Sequence, residues 1–235
     1  MKFGIYRSSE RSIAMKFKFY GHACFKLDTG KEMLLFDPFL SGNEQNHIPP
    51  EKVKCDYILL SHAHSDHLGD AEIIARHTGA VVIAVPEVIG LFPKTVLNFQ
   101  PMNLGGEFQG DFGTVKMVQA FHSCGVAGGT PCGFIVTMKD GTTVYYAGDT
   151  ALFGDMKLFG EMYSIDYAVL PIGNNYTMGP KDAVMAAKFL KAKHVIPVHY
   201  NTWPIIAQDP EAFKTAAAQE GIDVILVKPG ETIDL

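Results

Sequence analysis

The stretch Ser61-His62-Ala63-His64-Ser65-Asp66-His67 sets three histidines and an aspartate within six residues, directly after the apolar run Tyr57 to Leu60. Imidazole nitrogens and carboxylates are the ligands that a borderline divalent metal such as zinc accepts. In an extended segment His62 and His64 point the same way, because side chains repeat every two residues. Asp66 and His67 fall where the chain turns away and can aim at a second point. The spacing therefore suggests two adjacent metals. For this cluster taken alone, the plain alternative is a solvated histidine-rich loop.

Two metals need more ligands, and three residues later in the chain qualify. His122 follows the strand-like Val115 to Phe121, Asp149 follows Thr142 to Tyr146, and His199 follows Val195 to Val198. Any one of these is weak, since a histidine ending a strand is more often a capping or partly buried group. Three such exits beside a metal motif make a joint pattern.

The elements that must position these residues are legible. Lys16 to Tyr20 and Ala23 to Leu27 read as strands separated by Gly21-His22, and Asp28-Thr29-Gly30-Lys31 is a hairpin turn leading into Met33 to Phe36. Tyr57 to Leu60 is a buried strand, Leu68 to His77 has helical spacing stopped by Gly79, and Ala80 to Val85 is a strand followed by a short helix from Pro86. Val96 to Phe121 reads as several antiparallel strands, and Gly133 to Met138 with Thr142 to Tyr146 as a hairpin. The second half alternates: strand Tyr167 to Ile172, helix Pro180 to Leu190, strand His194 to Val198, helix Pro210 to Glu220, last strand Ile222 to Val227. Hairpins mixed with helical crossovers predict an α/β (α+β) chain, two mixed sheets packed face to face with helices outside. Residues 15–235 are expected to form one domain. Met1 to Ala14, whose Met1-Lys2-Phe3 recurs as Met15-Lys16-Phe17, reads as an upstream extension or a cloning remnant and is set aside.

Composition narrows the function. The 235 residues are 47% hydrophobic and 19% charged, which suits a chain with a sizeable core. The net charge is −5 with no lysine or arginine run, which argues against a groove for long nucleic acid. No apolar stretch reaches the roughly 20 residues of a membrane span, and no signal peptide is visible. Cys24, Cys55, Cys124 and Cys132 read as reduced thiols of a cytoplasmic protein; Cys124 and Cys132 flank a glycine-rich loop and are expected to be free rather than paired.

His62-x-His64-x-Asp66-His67, then His122, Asp149 and His199 in that order, resembles the metallo-β-lactamase superfamily over nearly all of Met15 to Leu235. Gly21-His22-Ala23-Cys24-Phe25 and Thr177-Met178-Gly179-Pro180 further resemble a subgroup of small metal-dependent hydrolases, similar to the ascorbate-6-phosphate lactonase branch. The resemblance implies a four-layer αββα sandwich with metals at the sheet edges. It also implies that His62, His64 and His122 hold one metal, that Asp66, His67 and His199 hold the other, and that Asp149 bridges. Antibiotic-degrading members often carry cysteine at a second-metal position, where this chain has Asp149, and no secretion signal is present. β-Lactam hydrolysis is therefore not expected.

Two divalent ions roughly 3.5–4 Å apart, zinc first and manganese or iron as alternatives, would share and activate a water. Asp66 and Asp149 would hold and orient them, and either could take a proton. Two dications, two carboxylates and a hydroxide leave about +1 at the site, which suits a small anionic substrate such as a phosphate ester or carboxylated lactone. His22 either donates to the reacting oxygen or leaving group, or bonds the backbone of a tight turn. Asn174, Asn175, Tyr176, Asn201 and Trp203 follow strand exits and are candidates to line the pocket. Ser123 to Pro131 is either a mobile wall or a permissive glycine turn. The leading expectation is a dinuclear metal hydrolase of a small ester, lactone or phosphodiester. The alternatives are an RNA- or nucleotide-processing phosphodiesterase and a non-catalytic metal-binding sensor. Oligomeric state stays open, a homo-oligomer included.

Overall fold

Lysine and phenylalanine alternate in β1 (Lys16–Gly21), so one face carries Phe17 and Phe19 into the interior while Lys16 and Lys18 stay outside it. A computed structural model describes residues 14–235; of the N-terminal extension set aside above, residues 1–13 lie outside the described residues. After β1 come β2 (Cys24–Asp28), β3 (Met33–Phe36), β4 (Tyr57–Leu59), β5 (Val81–Ala84) and β6 (Phe99–Pro101) in the first sheet. A second sheet takes β7 (Glu107–Gln109), β8 (Gly113–Gln119), β9 (Cys132–Met138), β10 (Thr143–Tyr146), β11 (Tyr167–Pro171), β12 (His194–Val198) and β13 (Asp223–Val224). β14 (Thr232–Asp234) returns to pair with β1, Phe17 facing Ile233.

The two sheets share one plan. In the first, the ribbon β14-β1-β2-β3 is antiparallel and β3-β4-β5-β6 is parallel. In the second, β7-β8-β9-β10 is antiparallel and β10-β11-β12-β13 is parallel. This is the mixed two-sheet architecture expected from the sequence, with one correction: β6 belongs to the first sheet and runs parallel to β5, so the segment from Val96 to Phe121 is not wholly antiparallel.

Aromatic rings fill the space between the sheets. Phe25 stacks on Phe17 at 5.0 Å and on Phe36 at 4.3 Å, and Tyr146 from the second sheet meets both Phe25 (5.1 Å) and Phe36 (5.5 Å) edge-on. Removing one such buried ring costs on the order of 3–5 kcal/mol. Alternation sends Tyr145, Ala168 and Leu170 to the opposite face of the second sheet, where α4 (Met156–Met162), α5 (Pro180–Leu190) and α6 (Pro210–Gln219) cover them. Proline starts α5 and α6, where its missing N–H costs nothing. Asp209 caps α6 by accepting from the Glu211 and Ala212 amides at 2.9 and 3.1 Å. On the first sheet's side, the helical stretch expected from Leu68 divides into α1 (Ser65–Leu68) and α2 (Ala71–Thr78), followed by α3 (Pro86–Ile89). The break falls at Gly69-Asp70, where the Asp70 carboxylate accepts from the Leu40 and Ser41 amides at 3.0 and 2.7 Å. Among the described residues no helix is long and apolar enough to cross a membrane, and all four cysteines are buried and free.

Strand direction places the polar exits. β1 and β3 run the same way because each is antiparallel to β2, and β4 follows β3. β8, β10, β11 and β12 likewise share a direction. His22, Asp37 and His62 therefore leave one end of the first sheet, and His122, Asp149 and His199 leave one end of the second.

Candidate metal centre

Two groups of ligand atoms meet between those sheet ends. One donor atom each from His62, His64 and His122 lie within 4.8 Å of one another, as do donors from His22, Asp66, His67 and His199. In the first group His62 Nε2 is 2.9 Å from His64 Nδ1, and both rings stand 5.1 Å from that of His122. The opposite nitrogens are already engaged: His62 Nδ1 with Ser61 Oγ at 2.9 Å, and His64 Nε2 with Ser123 Oγ at 3.2 Å. Hydroxyl partners on the far side of a ring fix which nitrogen carries the lone pair toward a cation. Gly125 makes the approach of the Ser123 loop possible. Its φ is +78°, and a Cβ there would stand 2.8 Å from His64 Cδ2. The Ala63 amide ties the same loop down by donating to the Cys124 carbonyl at 2.7 Å.

Asp149 lies between the groups. Its Oδ2 is 3.5 Å from His122 Nε2, 3.3 Å from His67 Nε2 and 3.1 Å from His199 Nε2. Asp66 Oδ2 stands 3.8 Å from both His67 Nε2 and His199 Nε2. Among the described residues, four buried atoms here have no hydrogen-bond partner: His67 Nε2, Asp149 Oδ1, and both nitrogens of His199. A buried polar atom left unpaired is costly, and such atoms are rare outside functional sites. Nitrogen and carboxylate donors converging without partners fit a cation in this space.

Asp37 is the residue the sequence reading missed. It is fully buried just past β3, and its Oδ2 receives three donors: His67 Nδ1 at 2.7 Å, Ser61 Oγ at 2.5 Å and Tyr146 Oη at 2.6 Å. Ser61 in turn contacts His62 Nδ1, so one carboxylate orients an imidazole of each group. Its only signal in the sequence is an acid ending an apolar strand before Pro38, which reads as a turn.

Burial governs the electrostatics. It pushes His62 down to about 2, with the neighbouring His67 adding to the effect, and pushes His22 down to about 4 against the raising influence of Asp66. Neutral imidazole is the ligating form. Burial works against the ionised form of Asp149, but the His199 and His67 rings outweigh it and hold the carboxyl well below its ordinary range. For Asp66, burial is likewise outweighed by the hydrogen bond from His22 and by His67. His67 is raised despite its burial, because Asp149 and Asp37 flank it.

A cleft of about 360 Å³ opens onto the ligands, lined also by Ser123, Tyr176 and Trp203. Of the residues proposed from sequence to line the pocket, Tyr176 and Trp203 are in this wall. Asn174, Asn175 and Asn201 are not among its lining residues. Asn174 holds a tight turn at φ +60°, its carbonyl accepting from the Tyr176 amide, and Asn201 Oδ1 accepts from the Gln208 amide at 2.7 Å. His22 is fully buried with both ring nitrogens engaged, Nε2 with Asp66 Oδ2 at 3.0 Å and Nδ1 with Thr202 Oγ1 at 2.8 Å. Neither nitrogen is free for a leaving group, so the geometry gives His22 the orientation of Asp66. His22 shapes a turn as well, its carbonyl accepting from the His199 amide at 2.7 Å.

Comparison with known proteins identifies the family. Residues 32–200 match the family described as "Beta-lactamase superfamily domain". The chain is 48% identical over 230 residues to the UPF0173 metal-dependent hydrolase YtkL of Bacillus subtilis, covering 94% of this chain and all of that one. Among solved structures it resembles Igni18, a metallo hydrolase from Ignicoccus hospitalis, with TM-score 0.88 and 34% identity over 95% of this chain and 99% of that one. It also resembles the metallo-β-lactamase fold protein YhfI of Bacillus subtilis, with TM-score 0.73 and 18% identity over 95% of this chain and all of that one, a likeness of fold alone.

Proposed function

This chain belongs to the UPF0173 metal-dependent hydrolases of the metallo-β-lactamase superfamily, and from that premise we propose that it hydrolyses a small ester, lactone or phosphoester at two divalent ions. The observation that carries the two-ion reading is Asp149 Oδ2, within 3.5 Å of His122 on one side and of His67 and His199 on the other. His62, His64 and His122 would hold one ion, and Asp66, His67 and His199 the other, with Asp149 common to both. Nitrogen-rich donors with carboxylates favour zinc, with manganese and iron as the alternatives. When bound, such a pair supplies an activated water near neutral pH and stabilises negative charge on the reacting oxygen.

The chain's own groups divide the remaining work. The Asp149 side chain is 4% exposed and hemmed in by three imidazoles, so it organises the centre. The Asp66 side chain is 20% exposed at the cleft and held on its inner side by His22, which supports a role for it as the carboxylate that would take a proton from the water. Asp37 and Ser61 keep His62 and His67 in their ligating orientation. The cleft admits a substrate, which favours turnover over a closed sensor cage. None of its lining residues is lysine or arginine, so nothing there favours long RNA.

Protein purified without chelator is expected to carry about two metal equivalents per chain and to hydrolyse members of an ester, lactone and phosphodiester panel. Less than about one equivalent, with no hydrolysis restored by zinc or manganese, overturns the reading.

A further inference from the structure

The cleft wall facing the ligands is aromatic. Trp203, 37% exposed, rests one side on His22 (ring centroids 4.9 Å) and on Phe39 (6.2 Å), which makes it a held platform rather than a loose surface side chain. Tyr176, 53% exposed, is carried by two successive left-handed residues, Asn174 at φ +60° and Asn175 at φ +53°. Left-handed backbone outside glycine is uncommon, and such strain persists where the surrounding structure enforces it. Here the turn is pinned by the Met178 amide, which donates to the Thr150 carbonyl at 2.9 Å, next to the bridging Asp149.

Charge points the same way. Every carboxylate and imidazole in the wall, namely Asp66, Asp149, His64, His122 and His199, is one of the assigned metal ligands, and no lysine or arginine joins them. A negative group on the substrate away from the reacting bond would have no cation to meet, while the carboxylate of Asp66 would repel it.

We propose that the substrate carries an uncharged, planar apolar group beside the scissile bond, bound between Trp203 and Tyr176. Any negative charge it has is confined to the reacting group at the metals. The reacting half of this statement rests on the hydrolase reading above; the binding half does not.

The test uses zinc-loaded protein and three acetate esters with comparable alcohol leaving groups: benzyl acetate, propyl acetate and 4-(acetoxymethyl)benzoate. Benzyl acetate is expected to give the highest kcat/KM, about tenfold above both others. Trp203→Leu and Tyr176→Leu should each raise KM for benzyl acetate about three- to tenfold, the range of an aromatic contact, and raise it more than KM for propyl acetate. Trp203→Phe should recover most of the loss, and in Trp203→Leu the rise in KM should be larger for benzyl acetate than for propyl acetate, whereas unfolding would lower the rate with both esters alike. Trp203 is the sole tryptophan, so its emission reports binding without turnover. Benzyl alcohol should shift that emission at concentrations where 4-(hydroxymethyl)benzoate does not. Emission shifts without hydrolysis of any of the three esters would support the aromatic site and rule out carboxylic-ester cleavage as the reaction beside it. Hydrolysis with no preference among the three esters, or a preference for the carboxylate, would overturn the aromatic site and leave the hydrolase reading standing.

Discussion

Asp37 accepts a hydrogen bond from His67 Nδ1 at 2.7 Å in full burial, so a ligand of the second group is held by a residue 30 positions earlier, at the end of a neighbouring strand. The same oxygen receives Ser61 Oγ, which contacts His62 of the first group. The two groups are thus coupled through one carboxylate before any cation enters.

Asp37→Asn is therefore expected to weaken metal binding at both groups by about 10- to 100-fold, the usual effect of losing a partner behind a ligand. Asp37→Ala should also destabilise the fold by about 3–5 kcal/mol, since His67, Ser61 and Tyr146 all lose their buried acceptor. Calorimetric zinc titration and urea denaturation of the two variants check both statements. Unchanged metal affinity in Asp37→Asn would remove the coupling role.

Gly125→Ala should affect the first group selectively. The left-handed φ of +78° and a Cβ 2.8 Å from His64 Cδ2 require the Ser123 loop or the His64 ring to move. We expect a stability loss of about 1–2 kcal/mol and weaker binding of one of the two metals, read by denaturation and by metal analysis after dialysis. Retention of both metals at wild-type affinity would show that the loop does not position His64.

Metal-free protein should lose stability as pH falls from about 6.5 toward 4. His62 and His22 have folded pKa values of about 2 and about 4, below the unfolded 6.5, so the unfolded chain binds more protons in that window. Each group contributes up to about 1.4 kcal/mol per pH unit while only the unfolded form is protonated. His67 has a raised folded pKa, so its contribution is fully present below pH 6.5 and fades as pH rises through the folded value. It does not oppose the trend in this window. Thermal melts of the stripped protein across that range should show a falling Tm; a flat profile would contradict the assigned burial of the two rings.

Much of this was legible in the sequence, for a physical reason. His122, Asp149 and His199 each end an apolar strand, and a polar residue there has nowhere to go but the sheet edge. The order of exits could be read without knowing the sheets. Asp37 could not, because an acid followed by proline at a strand end looks like any turn, and its three donors come from residues 61, 67 and 146. The helix Met156–Met162 was missed because Gly160 breaks its apolar pattern; a Cβ at Gly160 would collide with the Phe189 and Leu190 carbonyls, so the glycine is set by packing against α5. The expected final strand Ile222 to Val227 is ordered as a strand only at Asp223–Val224, while Thr232–Asp234, too short to show alternation, supplies the edge strand beside β1. Asn174 and Asn201, expected from sequence to contact substrate, both hold left-handed backbone in tight turns, a use that asparagine serves well.

Asp66→Asn and Asp149→Asn should separate the two carboxylates. Losing Asp149 removes the group shared by both ligand sets, so both metals should bind more weakly. Losing Asp66 should spare the metal on His62, His64 and His122 and lower kcat about 100-fold or more, through loss of the proton acceptor and of a ligand. Metal content of each variant beside its kcat decides it. Equal metal loss in both variants would mean that Asp149 is not shared.

The central claim is that two metals act together, and stepwise reloading tests it most directly. Chelator-stripped protein is titrated with zinc, or with manganese, while hydrolysis of an ester is followed. Activity should stay low until the second equivalent and level off at about two metals per chain. A plateau at one metal per chain, or no recovery with either ion, would contradict the account.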